Sequence, residues 1–362
     1  MKNNAAKYDK AMAAGAVADQ KLKFITPETA PLRLSGFAFG KCEGKFRRLP
    51  EDERFSDGVK ILSWHTSGGR VDFRTDSTRL QIKVKLHKSS HMDHMPDVGS
   101  CVFDLYAGEP GRAVMIGTSR SKAGSDEYES TLHNDTLPGK MENYTINFPL
   151  YSGIESLLIG IDEDAQLQAP APWADERPMV FYGTSITQGG CASRPGMSYP
   201  AILSRRFNIP ALNFGFSGNG KGEPAVAEYL AKITDPAFYL LDYEPNARPD
   251  GVRETLSSFI DILREKHPET PVFVMSSLRF NREIPITGSP DIQADILAGS
   301  VKFQRAEVQR RKKAGDKNIH FINGGRIAGK DWHEFSVDGC HQTDLGFYMI
   351  ANNLEKILKK VL

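Results

Sequence analysis

The stretch from Pro178 to Gly190 reads PMVFYGTSITQGG and decides the fold of the C-terminal half. Its first six residues form a short apolar run that predicts a buried strand, and an amphipathic helix pattern follows near residues 198–207. The same order of apolar strand and helix recurs four times further along the chain. Five such units predict a parallel sheet covered by helices on both faces, which makes this half an α/β protein.

The later predicted strands of this half are short apolar runs bounded by turn residues. They read IPALNFG, AFYLLD, PVFVMSS and NIHFING. Helices are predicted near residues 224–231 and 252–266, over a long charged stretch that ends at about 314, and over 345–362.

The N-terminal half, from about Leu32 to Asp162, is rich in short β-type runs. These runs are LRLSGFAF, VKILSW, RVDFRT, RLQIKVKL, CVFDLYA, AVMIGT, YESTLH, YTINFPL and SLLIGID. Turn residues separate them at intervals of about ten residues, which predicts an antiparallel β-sandwich or jelly roll. The Ala/Pro-rich segment AQLQAPAPWADERP reads as a linker. We therefore place a β-sandwich domain at residues 25–165 and an α/β domain at residues 176–362.

Composition excludes several classes of protein. The chain of 362 residues carries 46 Lys+Arg against 45 Asp+Glu, a net charge of +1, whereas a nucleic-acid binder needs a basic surface. No apolar run approaches the ~18 residues of a membrane span. The Ala-rich patch at residues 11–18 is too short for a secretory signal, so either a signal has been removed from an exported protein or the protein is cytoplasmic. Nothing in the sequence indicates an oligomeric state.

A serine follows the first predicted strand of the C-terminal half. Active sites of doubly wound sheets lie at the carboxyl ends of the strands, and Ser185 comes just after Gly183, a residue that permits a tight turn. An isolated G-T-S is also an ordinary turn or helix cap. The serine hydroxyl becomes a nucleophile only beside a base that a third group orients.

A candidate base lies in the loop before the last helix, where residues 338–346 read DGCHQTDLG. Asp338 and His341 can place the carboxylate on the imidazole Nδ1–H and leave the other nitrogen for Ser185. Two other loops follow strands at the same edge of the sheet. The glycine-rich loop 213–220, NFGFSGNG, could offer a backbone N–H to an oxyanion, could bind phosphate or could be an ordinary turn, and Asn246 could offer a side-chain N–H.

Taken together, these four blocks resemble the SGNH (GDSL-like) hydrolase superfamily, in the chain order of that family. The resemblance implies a flavodoxin-like, three-layer fold with a five-stranded parallel sheet. It also implies that Ser185 is the nucleophile, that Asp338 and His341 complete the triad, and that Ser185, Gly218 and Asn246 form the oxyanion hole. The blocks read G-T-S for G-D-S, D-Y-E-P-N for G-x-N-D and D-G-C-H-Q for D-G-x-H-P, and none of these changes removes a reacting group.

The N-terminal half resembles the β-sandwich domain that precedes the hydrolase domain in one branch of that superfamily. The motif of this domain, G-x-D-L-Y, is present as VFDLY at residues 102–106, with Val102 in place of the glycine.

The implied activity is that of a serine esterase that works through an acyl-enzyme and needs neither a metal nor an organic cofactor. The absence of a long apolar lid, together with the sandwich domain, favours a carbohydrate deacetylase over a lipase. The short polar loops GGCASRPG and SGNGKGE favour acetyl esters, so the expected partner is a small-molecule or oligosaccharide ester. The alternatives are an acyltransferase, lipase or thioesterase with the same triad, or an inert sugar-binding protein.

Three histidines, His87, His91 and His94, have a spacing that would resemble a metal site on a helix. Neighbouring Ser, Pro and Gly residues predict a loop instead. We therefore expect no metal there, and a loop over the crevice in which His91 and Met92 touch substrate. Glu244 and His333 are further candidates for the crevice lining, with an exposed structural role as the alternative for each.

Cys191 and Cys340 lie in the loops that carry the implied nucleophile and base. Folding of the triad would bring both loops to one crevice. A disulfide between them in an exported protein and two free thiols are the two alternatives.

Overall fold

The computed structural model describes residues 21–42, 44–121, 125–133, 135–284 and 292–362, with the side chains of residues 292–297 excepted. The question of a signal in residues 1–20 lies outside these ranges. Among the described residues, no helix combines the length and the apolarity that crossing a membrane requires.

The N-terminal half contains two antiparallel sheets. Its strands are β1 (Leu22–Ile25), β2 (Arg33–Ser35), β3 (Arg70–Thr75), β4 (Gln81–Lys88), β5 (Asp104–Ala107), β6 (Val114–Thr118), β7 (Glu127–Thr131), β8 (Glu142–Asn147), β9 (Gly153–Asp162) and β10 (Leu167–Gln168). One sheet has the order β1-β9-β4-β7, and the other has the order β10-β3-β8-β5-β6 with β2 beside β3. Fully buried side chains from both sheets, such as Phe73 and Ile159, form one core, which confirms the predicted sandwich.

One predicted β run of this half is wrong. VKILSW lies in a helix, α1 (Asp57–Leu62), and in the turn that follows it. The side chain of Ser56 accepts a hydrogen bond from the Val59 N–H and caps the helix, and Val59 and Leu62 are buried three residues apart. The cap and this helical spacing outweigh the β propensity of the Val and Ile residues. A second short helix, α2 (Asp97–Ser100), precedes β5.

The C-terminal half contains the predicted parallel sheet. Its strands are β11 (Met179–Gly183), β12 (Ala211–Gly215), β13 (Phe238–Asp242), β14 (Val272–Met275) and β15 (Ile319–Ile322). The order across the sheet, β12-β11-β13-β14-β15, is that of a flavodoxin-like fold. The connection from β12 to β13 crosses over β11, which lies between them. Because the three strands are parallel, their carboxyl ends lie side by side at one edge of the sheet.

Helices cover both faces of this sheet. They are α3 (Ser185–Gln188), α4 (Tyr199–Phe207), α5 (Pro224–Leu230), α6 (Glu244–Lys266), α7 (Ile292–Lys313) and α8 (Asp344–Leu358). Along β11, Val180 and Tyr182 pack with residues of α5 and α6, while Met179 and Phe181 pack with residues of α4 and α8. This alternation is what a strand buried on both faces requires.

Helix α6 begins earlier than the predicted helix at residues 252–266. A short first piece starts at Glu244, and the backbone breaks at Arg248, which has φ 60° and ψ 170°. Pro249 follows this residue, and the proline ring excludes its predecessor from helical geometry. The break leaves Asn246 on a separate helical turn at the carboxyl edge of the sheet.

Candidate active site

Ser185, His341 and Asp338 form a continuous hydrogen-bonded series. The Ser185 Oγ lies 2.8 Å from the His341 Nε2, and the His341 Nδ1 lies 2.7 Å from the Asp338 Oδ2. The side chains of His341 and Asp338 are 23% and 34% exposed, so the series ends in an open crevice. The Nδ1–H of His341 donates to the carboxylate, and the Nε2 lone pair is therefore free to accept from the serine hydroxyl.

The loop before α8 holds Asp338 as an ionised acceptor. Besides the imidazole, the carboxylate accepts hydrogen bonds from the backbone N–H groups of His341 at 2.7 Å and Cys340 at 2.9 Å. Partial burial by itself would raise the pKa of Asp338, but these hydrogen bonds lower it to about 2. The carboxylate therefore stays charged at neutral pH and fixes the orientation and tautomer of His341.

Ser185 is placed at the first position of α3, directly beyond β11. The side chain of Thr184 caps this helix by accepting from the Ile186 N–H at 3.3 Å. The sequence predicts that Gly183 permits a tight turn. In the structure, close packing requires a glycine at this position. A Cβ at this position would lie 2.1 Å from the Thr187 Oγ1 and 2.5 Å from the Asp242 carbonyl oxygen.

Two backbone N–H groups in the turns after β11 and β12 have no acceptor among the described residues. They belong to Ser185, at the helix start, and to Gly218, in the turn after β12. Gly218 has φ +68°, is exposed, and would direct a Cβ into open space. Unpaired N–H groups that face a crevice are the donors from which oxyanion holes are built.

Asn246 makes a hydrogen bond to the turn after β12 that contains Gly218. Its Nδ2 donates one hydrogen to the Phe216 carbonyl oxygen at 3.1 Å, which leaves the second amide hydrogen without a described acceptor. The side chain is thereby oriented by the residue that starts the Ser217–Gly218 turn. This geometry is compatible with the predicted donor role.

Residues of the N-terminal half contact Gln188, which lies on the same helix as Ser185. The sequence did not predict these contacts. Gln188 is fully buried, and its side chain accepts from the Ser217 N–H at 3.0 Å and donates to the Leu150 carbonyl oxygen at 3.0 Å. Its Nε2 also lies 3.0 Å from the His65 Nδ1. Burial, with Arg48 and His87 nearby, lowers the pKa of His65 to about 3, so the ring is neutral and accepts. Gln188 thus connects the helix that carries Ser185 to the Ser217–Gly218 turn and to the sandwich.

The VFDLY motif has a structural role at the junction of the two halves. Asp104 is fully buried and accepts from the Gly196 N–H at 2.7 Å and from Arg194 at 3.2 Å. Arg194 also donates to the Tyr106 hydroxyl. The segment from 189 to 197 that runs beside Ser185 is therefore fastened to the sandwich. The motif can be recognised in the sequence, but the residues that Asp104 and Tyr106 contact lie about 90 residues further along the chain.

The histidine loop reaches His341 through His94. His91 is exposed and pairs with Asp97 at 2.8 Å, and Met92 packs at the edge of the C-terminal core. His94 instead lies against the His341 imidazole, with 5.6 Å between the centroids of the two rings. His87 stacks on Trp64 at 4.0 Å, so the three histidines do not gather into one site.

Glu244 and His333 are not part of the hydrogen-bonded series. The Glu244 side chain is 2% exposed, and its Oε2 accepts from the Ser277 N–H at 2.6 Å and from Gln304 at 2.7 Å. These contacts connect α6 to the segment after β14 and to α7, and the carboxylate lines a cavity of about 240 Å³ there. The alternative prediction, that Glu244 has an exposed structural role, is therefore wrong. His333 is exposed and lies 3.6 Å from Glu334.

Cys191 and Cys340 are both free thiols in the structure. Burial, followed by the nearby Asp338 and Cys340, raises the pKa of Cys191 to about 12. Of the two alternatives left open for this pair, the structure contains the unbridged one.

Comparison with known proteins gives matches for both halves. Residues 176–359 match the model of the GDSL-like lipase/acylhydrolase family, and residues 22–167 match the model for the N-terminus of SGNH-hydrolase-type esterases, named GxDLY. The chain therefore belongs to the GDSL-like lipase/acylhydrolase family, whose members are ester-bond hydrolases. A sequence search of the curated proteins found no significant match.

Solved structures with similar folds extend over nearly the whole chain. A GDSL-like lipase from Bacteroides ovatus is 30% identical with a TM-score of 0.83, over 94% of this chain and 98% of that one. A salicylyl-acyltransferase from a tetracycline biosynthetic pathway is 20% identical with a TM-score of 0.72, over 94% and 97%. A family two carbohydrate esterase from Clostridium thermocellum, solved with cellohexaose, is 16% identical with a TM-score of 0.51, over 81% and 92%. The last two likenesses concern the fold alone.

Proposed function

We propose that this protein is a serine esterase that removes short acyl groups, acetyl above all, from carbohydrate. The observation that carries the proposal is the series from the Ser185 Oγ through His341 to Asp338, with contacts of 2.8 and 2.7 Å. In the proposed reaction His341 takes the hydroxyl proton while the Ser185 Oγ bonds to the ester carbonyl carbon. The same imidazolium then gives that proton to the departing alcohol.

The second half of the reaction repeats these proton transfers with water. Water attacks the acyl-enzyme, His341 takes its proton and returns it to Ser185, and the carboxylic acid leaves. The N–H groups of Ser185 and Gly218, with the amide of Asn246, are the proposed donors to the oxyanion in both halves.

Close packing around Gly190, next to the Ser185–His341 pair, supports a short acyl group. The Tyr151 hydroxyl lies 3.5 Å from the Ser185 carbonyl oxygen, and a Cβ on Gly190 would lie 2.7 Å from that hydroxyl and 3.3 Å from the His341 Cδ2. The carbohydrate part of the proposal draws on the likeness to carbohydrate esterases. It also draws on the exposed edge of the crevice at Gly218, which leaves room for a large polar alcohol.

Water access favours hydrolysis over acyl transfer. A transferase with the same triad must keep water from the acyl-enzyme, whereas Gly218 and the Asp338–His341 pair are accessible to solvent here. Acetic acid as the main product in the presence of millimolar sugar acceptors is the expected result. A dominant transfer product would assign the acyltransferase function instead.

The test compares p-nitrophenyl acetate, p-nitrophenyl octanoate and an acetylated xylo-oligosaccharide as substrates. We expect higher kcat/KM for acetate than for octanoate, release of acetate from the oligosaccharide, and neither activity in Ser185→Ala. A preference for octanoate would contradict the deacetylase proposal, and unchanged turnover in Ser185→Ala would contradict the triad.

A further inference from the structure

We propose that His94, Cys191 and His341 form a binding site for a thiophilic divalent cation such as Zn²⁺, and that the bound ion blocks catalysis. One ligand atom from each residue lies within 4.8 Å of the others. Two imidazole nitrogens and one sulfur are the donors that Zn²⁺ prefers and that Mg²⁺ and Ca²⁺ avoid. This site is not the group of His87, His91 and His94 at which we expect no metal. Only His94 is common to the two groups.

The separation of the three donors suits one ion after small side-chain rotations. Zinc binds nitrogen at about 2.0–2.1 Å and sulfur at about 2.3 Å, so its ligand atoms lie about 3.3–3.8 Å apart. Donors held within 4.8 Å need to move by about an ångström. His94 is 34% exposed, so an ion can reach the site from the crevice.

Neighbouring carboxylates orient both imidazoles for this purpose. The His94 Nδ1 lies 3.2 Å from Asp93, and the His341 Nδ1 lies 2.7 Å from Asp338. Metal-binding histidines commonly use one nitrogen on the ion and direct the other to a carboxylate. The Nε2 atoms of the two histidines are therefore the geometrically available ligands.

Binding at this site would inhibit the enzyme by a defined route. The His341 Nε2 carries the lone pair that accepts from the Ser185 hydroxyl at 2.8 Å. An ion on that lone pair removes the general base, and the Cys191 thiol releases its proton to solvent as it becomes a thiolate ligand. This inhibitory consequence rests on the proposed triad, whereas the coordination itself does not.

The test uses Co²⁺ as a spectroscopic substitute for Zn²⁺ on reduced protein that has been freed of reductant under nitrogen. Thiolate coordination gives a near-ultraviolet charge-transfer band, and we expect this band at one equivalent per chain. Cys191→Ser should abolish it, and His94→Gln should weaken Co²⁺ binding by about tenfold or more, because each change removes one ligand.

Two cysteines provide matched controls. Cys340 precedes His341 but is not in the ligand set, and Cys101 belongs to a separate His91–Asp97–Cys101 group. The band should persist in Cys340→Ser and in Cys101→Ser. Its absence in the unaltered protein, its persistence in Cys191→Ser, or its loss in either control would overturn the proposal.

A kinetic measurement completes the test. Micromolar Zn²⁺ should inhibit hydrolysis of p-nitrophenyl acetate, EDTA should restore it, and Mg²⁺ at the same concentration should have no effect. The concentration for half inhibition should rise about tenfold or more in His94→Gln. A Co²⁺ band without esterase activity in the metal-free enzyme would contradict the proposed function but not the metal site. Full activity with the site occupied would overturn the inhibitory role.

Discussion

Replacement of Asn246 by alanine separates a role in the transition state from a role in the fold. The Asn246 Nδ2 donates to the Phe216 carbonyl oxygen, but that oxygen also accepts from the N–H groups of Asn219 and Gly220, both at 3.0 Å. The carbonyl therefore remains paired in Asn246→Ala. The expected stability loss is that of one ordinary hydrogen bond, about 0.5–1.5 kcal/mol.

The expected loss of activity is larger. The second amide hydrogen of Asn246 has no described acceptor and is available to the oxyanion, whose charge is greatest in the transition state. Loss of one such donor costs about 3–4 kcal/mol in barrier height, or about 10²–10³ in kcat, with little change in KM. Asn246→Ala should therefore keep slow turnover of p-nitrophenyl acetate and a near-normal KM.

Asn323 offers a matched control for this experiment. It follows β15 at the same edge of the sheet, and its side chain accepts from the Gly325 N–H at 3.1 Å, which is a local cap. Asn323→Ala should lose a similar amount of stability, measured by urea unfolding, and retain kcat within about threefold. A kcat of Asn246→Ala that also stays within about threefold would refute the oxyanion role and leave two backbone donors for that task.

Three further predictions concern the carboxylates. Burial raises the pKa of Asp242 from 3.8 to about 8, so the folded state favours the protonated carboxyl and the protein loses stability as the pH rises from about 4 to 8. Urea unfolding of Asp242→Asn should lack this decline in stability. A decline as steep as that of the unaltered protein would contradict the assignment of the decline to Asp242. Asp104→Asn breaks a buried ion pair with Arg194 and should cost about 3–5 kcal/mol of unfolding free energy, whereas a loss below about 1 kcal/mol would show that the junction does not depend on it. Asp338→Asn should lower kcat by about 10³-fold or more, because an amide does not fix the His341 tautomer, and near-normal kcat would remove Asp338 from the triad.

The sequence predicted the sheet well because its strands are buried on both faces. Continuous apolar runs such as Met179–Gly183 have few structural alternatives once helix patterns flank them. The VKILSW run was mispredicted because six residues with Val and Ile fit a strand by propensity, while the Ser56 cap that makes them helical is a single local contact. The break at Arg248 was signalled by Pro249, but the extra helical turn before it was not.

The residues that surround Ser185 were harder to predict than the series of Ser185, His341 and Asp338. Ser185 stands in a motif directly beyond β11 and His341 in a motif directly before α8, and the α/β topology brings the two side chains together. Gln188, Tyr151 and His94 act through partners from distant parts of the chain, and no local pattern encodes such pairings. The contact of His94 with His341 depends on the geometry of its loop, which the spacing of the histidines alone does not determine.

The most direct test of the account is the site of covalent labelling by a fluorophosphonate, mapped by peptide mass spectrometry. The series from Ser185 through His341 to Asp338 predicts one adduct per chain, located on Ser185, and no adduct in Ser185→Ala. An adduct on another residue, or labelling of Ser185→Ala at the rate of the unaltered protein, would contradict the assignment of Ser185 as the nucleophile.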